Sequence, residues 1–301
     1  ITQLGTAMPD NLSSLTLSCI GAGRLGKTLC HIFAQHLHIG HIINCSEDSA
    51  RLAVKFIGAG QARRVPVDSA DIWLIATPDN EIKAASAVLR TASVLRESDT
   101  VFHCSGALNA AELDISDCHT ASVHPIHSFA DPQQSISQFA GTPCGMEGNR
   151  SALDRLQPLF ERVAAKPFVI DSQQKALYHA ATVMTCNYLV SLLELGQKML
   201  TAAGVSPQQG VNPLEPLIRQ TLDNYFNTDA ISALTGPISR GDTATVASHI
   251  QALQQQPNNW QQVYRALGNT TRAIAAKQGQ ASAENLSAID RLLNSGTDHH
   301  D

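Results

Sequence analysis

Up to about residue 170, short apolar runs alternate with stretches of helical period. The runs "LTLSCIGAG", "HIINCS", "ADIWLIATP", "DTVFHCSGA" and "TASVHPI" read as strands, and "GKTLCHIFAQHL", "SARLAVKFIGA" and "NEIKAASAVLRTA" read as helices between them. Such alternation predicts a mostly parallel sheet with helices on both faces. After "KPFVIDS" the strand pattern stops. Residues 171–203 form one long periodic segment, with Asp171 or Ser172 as N-cap and Gly204 just past the end. Further helical patterns follow near 213–227, 242–255, 258–278 and 282–294. The chain therefore reads as α/β, an N-terminal domain over 12–170 and an all-α domain over 171–301.

Composition narrows the classes of function. The 301 residues carry a formal net charge of −5, with lysines and arginines scattered singly, so no basic stripe invites nucleic acid or an anionic membrane. Seven cysteines, an odd number without a C-x-x-C pair, read as reduced thiols of a cytoplasmic protein and not as a disulfide or zinc framework. No leader-like start and no uninterrupted apolar run of about 18 residues is present, so a membrane partner is not expected.

"CIGAGRLGKTL" places Gly21, Gly23 and Gly26 after a predicted strand and at the start of a predicted helix. In that setting the first glycine permits the tight turn, the second lets a pyrophosphate approach the backbone, and the third lets helix and strand pack closely. The helix N-terminus adds free N–H groups and partial positive charge. Gly21, Gly23, Arg24, Leu25 and Gly26 are thus candidate dinucleotide-binding residues. NAD-type sites carry Asp or Glu about 20 residues further on. Here Asn44 stands at that point, with Ser46 and Arg51 after it. This favours NADP over NAD, Glu47 and Asp48 being close by and Arg51 also reading as an ordinary solvated helix residue.

Ligands of doubly wound sheets lie beyond the carboxyl ends of the strands. Thr77, Pro78 and Asp79 follow one strand, His103, Cys104, Ser105 and Gly106 the next, and His124 and Pro125 a third. Thr77, Pro78, Ser105 and Gly106 are candidates for the nicotinamide ribose portion and His124 for substrate. The same residues also suit turns and helix caps, and for Asp79 capping is the leading reading. Cys104 has no base at a telling spacing, and His124 with His127 lacks a carboxylate partner, so neither a thiol nucleophile nor a metal is expected.

"GAGRLG", "ATPDNEI", "HCSGAL", "SVHPIHSFAD", "KALYHAATVMTCNYLVSLL" and "ALTGPISRGD" together resemble one family. It comprises bacterial Rossmann-like proteins with a helical C-terminal domain of unknown function, related to the NADP oxidoreductase, pyrroline-5-carboxylate reductase and 6-phosphogluconate dehydrogenase group. The resemblance runs from about residue 15 to about 270. It implies a Rossmann-type NADP-binding domain, a helical domain that mediates homodimerisation, and a substrate cleft between them. One departure is Cys45, where relatives tend to carry arginine. By analogy with the related dehydrogenases, Lys175, His179 and Asn187 on the first helix after the nucleotide domain would serve catalysis. His179 would donate the proton, Lys175 would sit beside it, and Asn187 would hold substrate or cofactor amide. Tyr178, His179 and Asn187 could also be polar tips satisfied in helix packing.

"ALTGPISRGD", residues 233–242, remains. Gly236-Pro237 stops a helix, Gly241 relaxes the backbone and Asp242 can cap the next helix. Thr235 and Arg240 are left for substrate, Arg240 gripping a carboxylate or phosphate with paired hydrogen bonds. An adhesion tripeptide is disfavoured by the absence of export and disulfide signals. The expected activity is NADP-dependent oxidoreduction of a small anionic carbonyl or imine compound. The alternatives are an NADP(H)-binding sensor or scaffold without turnover and a dehydrogenase-shaped protein using another reduced carrier.

Overall fold

The computed structural model describes residues 12–205 and 213–295. The chain divides into two compact units, Ile1–Leu189 and Val190–Asp301. In the first, β1 (Thr16–Ile20), α1 (Arg24–Phe33), β2 (His38–Ile43), α2 (Glu47–Ile57), β3 (Gln61–Arg63), β4 (Ile72–Ile75), α3 (Ile82–Ala92), β5 (Thr100–His103) and β6 (His119–Pro125) follow in order. Then come α4 (Pro132–Gln138), β7 (Pro143–Gly148), α5 (Arg150–Arg162), β8 (Lys166–Val169) and α6 (Lys175–Thr182). One eight-stranded sheet runs β3-β2-β1-β4-β5-β6-β7-β8. The first six positions are parallel, β7 is antiparallel to β6, and β8 is parallel to β7. The chain order reverses at β1, which places a ligand crevice beyond the carboxyl ends of β1 and its neighbours.

Side chains alternate across the strands, as a period of two requires. Leu17, Cys19, Ile72, Leu74 and Phe102 enter one buried cluster with Leu29, Phe33, Ile57, Phe139 and Phe160 from the helices of that face. Ile20, Trp73, Ile75 and Val101 enter the other with Ile82, Ala85 and Leu89 of α3. Phe33 and Phe102 each meet Phe160 edge-on, at 5.2 and 6.1 Å between ring centres. Such pairs add about 0.5–1.5 kcal/mol each beyond the area they bury.

The long helical segment is not one regular helix. Its α-geometry pauses in a π turn, Val183–Asn187, where Tyr188 N–H donates to the Val183 carbonyl, and resumes as α7 (Tyr188–Ala202). The apolar period is nearly blind to one added residue, so the sequence pattern shows a single segment. Asp171 caps the 3-10 turn leading into α6, and Gly204 has φ +90 just past α7, both as the sequence predicts. The boundary between the compact units falls at 189/190, later than the 170/171 expected, because α6 packs on the sheet through Lys175 and Tyr178.

The second unit holds α8 (Glu215–Asn227), α9 (Ala230–Ala233), α10 (Pro237–Arg240), α11 (Thr243–Leu253), α12 (Asn258–Gln278) and α13 (Ala283–Asn294). Ile238, Val246, Ile250, Ala275, Leu286, Ile289 and Leu293 form its core. The connection expected around residues 228–241 contains two single-turn helices. Gly241 closes α10 in the left-handed conformation, and Asp242 caps α11 by accepting from Thr245 N–H at 3.0 Å and its hydroxyl at 2.6 Å.

Candidate functional site

Beyond the ends of β1, β2 and β4 lies an open cavity of about 760 Å³, lined among others by Gly21, Gly23, Lys27, Asn44, Cys45, Arg64, Thr77 and Glu81. The three glycines of the loop do different jobs. Gly21 has φ +89, and a Cβ there would lie 2.7 Å from Thr77 N, so β1 and β4 can end side by side only with glycine. A Cβ on Gly26 would lie 2.6 Å from the Gly21 carbonyl oxygen, so this glycine seats α1 against the turn. A Cβ on Gly23 would meet nothing within 4 Å. The space it leaves is open at a helix N-terminus, where an anion is favoured.

Thr77 Oγ1 is buried beside this cavity and has no hydrogen-bond partner. A buried hydroxyl normally finds one, so Thr77 is chemically ready for a ligand. The open face of Gly23, the free N–H groups of α1 and the orphaned Thr77 hydroxyl all fit a dinucleotide.

The structure redistributes several residues expected here. Asn44 Oδ1 accepts from Ala22 N–H at 2.8 Å and so pins the glycine loop itself. Ser46 caps α2 through Ser49 N–H. Arg51 is exposed and paired with Glu47 at 2.5 Å, one helical turn away, so its charge is already matched. Arg24 is exposed, Leu25 packs against the core, and neither lines the cavity, unlike Pro78. Lys27 and Arg64, which the sequence pattern does not single out, do line it. Lys27 Nζ also stands 4.8 Å above the Phe56 ring.

A second polar cluster occupies the ends of β5 and β6. Ser105 Oγ donates to Asp79 Oδ2 at 2.8 Å and accepts from Leu108 N–H at 2.9 Å, so its hydroxyl is spent on the turn. Asp79 makes no capping bond, contrary to the leading reading, because it is the first residue of the 3-10 turn Asp79–Glu81 and Pro78 stands in the cap position; its carboxylate accepts from Ser105. Gly106 has a steric reason to be glycine: a Cβ would lie 2.6 Å from His179 Cδ2 and 2.9 Å from His124 Nε2. The two imidazoles therefore meet over bare backbone, 6.1 Å between ring centres.

His124 Nδ1 and Tyr178 OH are 2.9 Å apart. Tyr178 can lie there because β7 offers Gly145, where a Cβ would be 2.7 Å from its hydroxyl. Burial, then the nearby His179 and Lys175, bring His124 down to about 4, while burial pushes Tyr178 up to about 12. Near neutral pH both are uncharged and share a hydrogen bond that either can donate. The His179 ring makes no hydrogen bond among the described residues and is half-exposed.

Lys175 differs from its expected role. It is 2% exposed, and its ammonium donates to Ser122 Oγ and, at 3.0 Å, to Glu147 Oε1. The same carboxylate oxygen accepts from Ala110 N–H at 2.8 Å. Burial lowers the Lys175 pKa from its ordinary value while Glu147 opposes the shift. Lys175 is thus a buried anchor for α6, which carries Tyr178 and His179 over the strand ends. Asn187 is exposed on the π turn. Cys104 is buried, and burial raises its pKa, which removes it as a nucleophile. No group of three or more metal-capable side chains occurs among the described residues.

In the second unit, Thr235 lines an apolar cavity of about 330 Å³ together with Leu195, Met199 and Tyr264. Arg240 is exposed at the end of α10, and its guanidinium has no hydrogen bond or ion pair among the described residues.

A parallel sheet with its switch point at β1 and this glycine turn define a Rossmann-like fold. Residues 6–124 match the model of the Rossmann-like domain, and residues 142–271 match that of a domain of unknown function, DUF2520. The second match begins at β7, within the sheet. The fold is similar to that of protein TM1727 from Thermotoga maritima, 26% identical, covering 87% of this chain and 99% of that one with a TM-score of 0.70. It is also similar to the provisionally named NADP oxidoreductase BF3122 from Bacteroides fragilis, 20% identical, covering 89% and 100% with a TM-score of 0.68. An imine reductase from Myxococcus stipitatus in complex with NADP+ is 15% identical, covering 91% and 99% with a TM-score of 0.62. No curated protein sequence matches significantly.

Proposed function

We propose that the protein is an NADP(H)-dependent oxidoreductase acting on a small, anionic carbonyl or imine compound. The observation that carries this reading is the cavity at the switch point, with an open Gly23 face and an unpartnered Thr77 hydroxyl. The likeness in fold to an imine reductase in complex with NADP+ supports it. A bound NADPH would supply the hydride. Gly23, Thr77 and the first turn of α1 would hold the dinucleotide. His179 would deliver the proton to the developing anion or amine, with Tyr178 and His124 as the hydrogen-bonded pair beside it.

The test follows NADPH oxidation with a panel of small imines and oxo acids. Turnover is expected, with kcat reduced about 100-fold by His179→Ala and by Tyr178→Phe and NADPH affinity retained in both. Equal turnover in both variants would remove the cluster from the chemistry. NADPH binding without turnover on the whole panel would favour the sensor reading instead.

A second copy of the chain is the proposed partner. The helical stretch Ser172–Ala202 has a mean hydropathy of 1.2 over its most apolar window, yet none of that window is buried. Tyr188 and Leu192 are exposed on one side of α7 and Val190 and Leu193 on the other, and Phe226 of α8 is 78% exposed. Apolar side chains exposed around a helix need an enveloping partner more than a flat contact. A bilayer suits the stretch poorly, because it carries Glu194 and Lys198 as an exposed pair and its first turn sends Lys175 to Glu147 of the sheet. Light scattering on the eluting protein is expected to give twice the chain mass, and the chain mass when Leu193 and Phe226 are both changed to Arg. A monomer in the unaltered protein would contradict this.

A further inference from the structure

We infer that Arg64 determines selection of the 2′-phosphorylated cofactor, taking over from the position after β2 that Cys45 leaves without charge. This rests on the cavity being the dinucleotide site. The residue pattern beyond β2, Asn44-Cys45-Ser46, offers no cation and no carboxylate, and the adenosine ribose of a dinucleotide is read at that strand end. Three arginines stand close to it in sequence or in the sheet. Arg51 is matched by Glu47 at 2.5 Å. Arg63 donates to Gln61 Oε1 at 2.7 Å and to the Ala62 carbonyl at 3.1 Å. Arg64 alone of the three lines the cavity, is exposed, and has a guanidinium without a hydrogen bond or ion pair among the described residues.

Its position follows from topology. β3 is the edge strand beside β2, paired in parallel through His41–Gln61, Ile42–Ala62 and Ile43–Arg63. The residue after Arg63 therefore emerges beyond the sheet beside Asn44 and Cys45. The carboxylate in the cavity wall, Glu81, follows β4, three strands from β3 and hence about 14 Å across the sheet. Glu47 and Asp48, which open α2 just after β2, do not line the cavity, and Glu47 is held by Arg51. Asp68, further along the loop after β3, stands 3.4 Å from His41. Lys27, on α1, adds positive charge to the cavity but lies in the glycine-loop helix, where it meets the anion common to both cofactors. The guanidinium fork can bind a phosphate through two parallel hydrogen bonds, which an ammonium cannot.

The test titrates NADPH and NADH calorimetrically into the full chain and its Arg64→Leu and Arg64→Lys variants. The unaltered chain is expected to prefer NADPH at least 10-fold. Arg64→Leu should weaken NADPH at least 10-fold and leave NADH within about 3-fold, removing the preference, with Arg64→Lys between. Because Arg64 is exposed and unpaired, thermal midpoints should stay unchanged. Binding of both cofactors with a ratio insensitive to Arg64 would overturn this inference and leave the proposed function standing. Binding of neither to the unaltered chain would overturn both.

Discussion

Replacing Glu147 by Leu is expected to lower the unfolding free energy of the first unit by about 3–5 kcal/mol. Trp73, fully buried in β4, reports that unit once Trp260 is changed to Phe, since the chain has two tryptophans. Lys175 is buried, and its ammonium is held by Glu147 and Ser122. Removing the carboxylate leaves a buried cation uncompensated and Ala110 N–H without its acceptor. Changing Lys175 to Met in the same chain is expected to recover most of the loss, because no unmatched charge then remains. The single variant should also become relatively more stable as pH rises. A lysine whose folded pKa lies below its unfolded value binds fewer protons when folded, so stability grows through that interval. A loss below about 1 kcal/mol, or a double variant no better than the single, would show that the pair does not anchor α6.

The second large effect separates the glycines. Gly23→Asp should leave the chain folded with at most a small fall in thermal midpoint, because a Cβ there meets nothing within 4 Å and, although ψ is −149, aspartate is a favoured residue at a helix N-cap. It should weaken NADPH at least 100-fold, about 2.7 kcal/mol, by filling the anion cradle and putting a carboxylate in it. Gly21→Ala and Gly26→Ala should instead lower the midpoint. The first forces a Cβ to 2.7 Å from Thr77 N at positive φ, and the second forces one to 2.6 Å from the Gly21 carbonyl oxygen. Unaltered NADPH affinity in Gly23→Asp would mean that the open face does not hold phosphate.

What the sequence makes legible is what is local. β1, β2, β4, β5 and β6 show in alternating or apolar runs, and the glycine turn shows because strand, turn and helix follow within eleven residues. α8, α11, α12 and α13 stand within about two residues of their expected limits, whereas the single turns α9 and α10 leave no periodic signal. β7 escapes notice because "PCGMEG" has too many small residues for a strand pattern. Those residues are needed, since Gly145 makes room for Tyr178 and Glu147 meets Lys175. Without β7, Lys175 reads as a neighbour of His179 and not as a buried anchor, and Tyr178 reads as a packing residue. The cations err in a similar way. Arg51 and Arg64 look alike in sequence, and only their partners, Glu47 in one case and open cavity in the other, tell them apart.

A dinucleotide site in the cavity at the switch point would show in a calorimetric titration of NADPH into the full chain. Saturable binding of one NADPH per chain is expected, and Gly23→Asp should remove it without loss of folding. Absence of binding to the folded, unaltered chain would contradict that assignment.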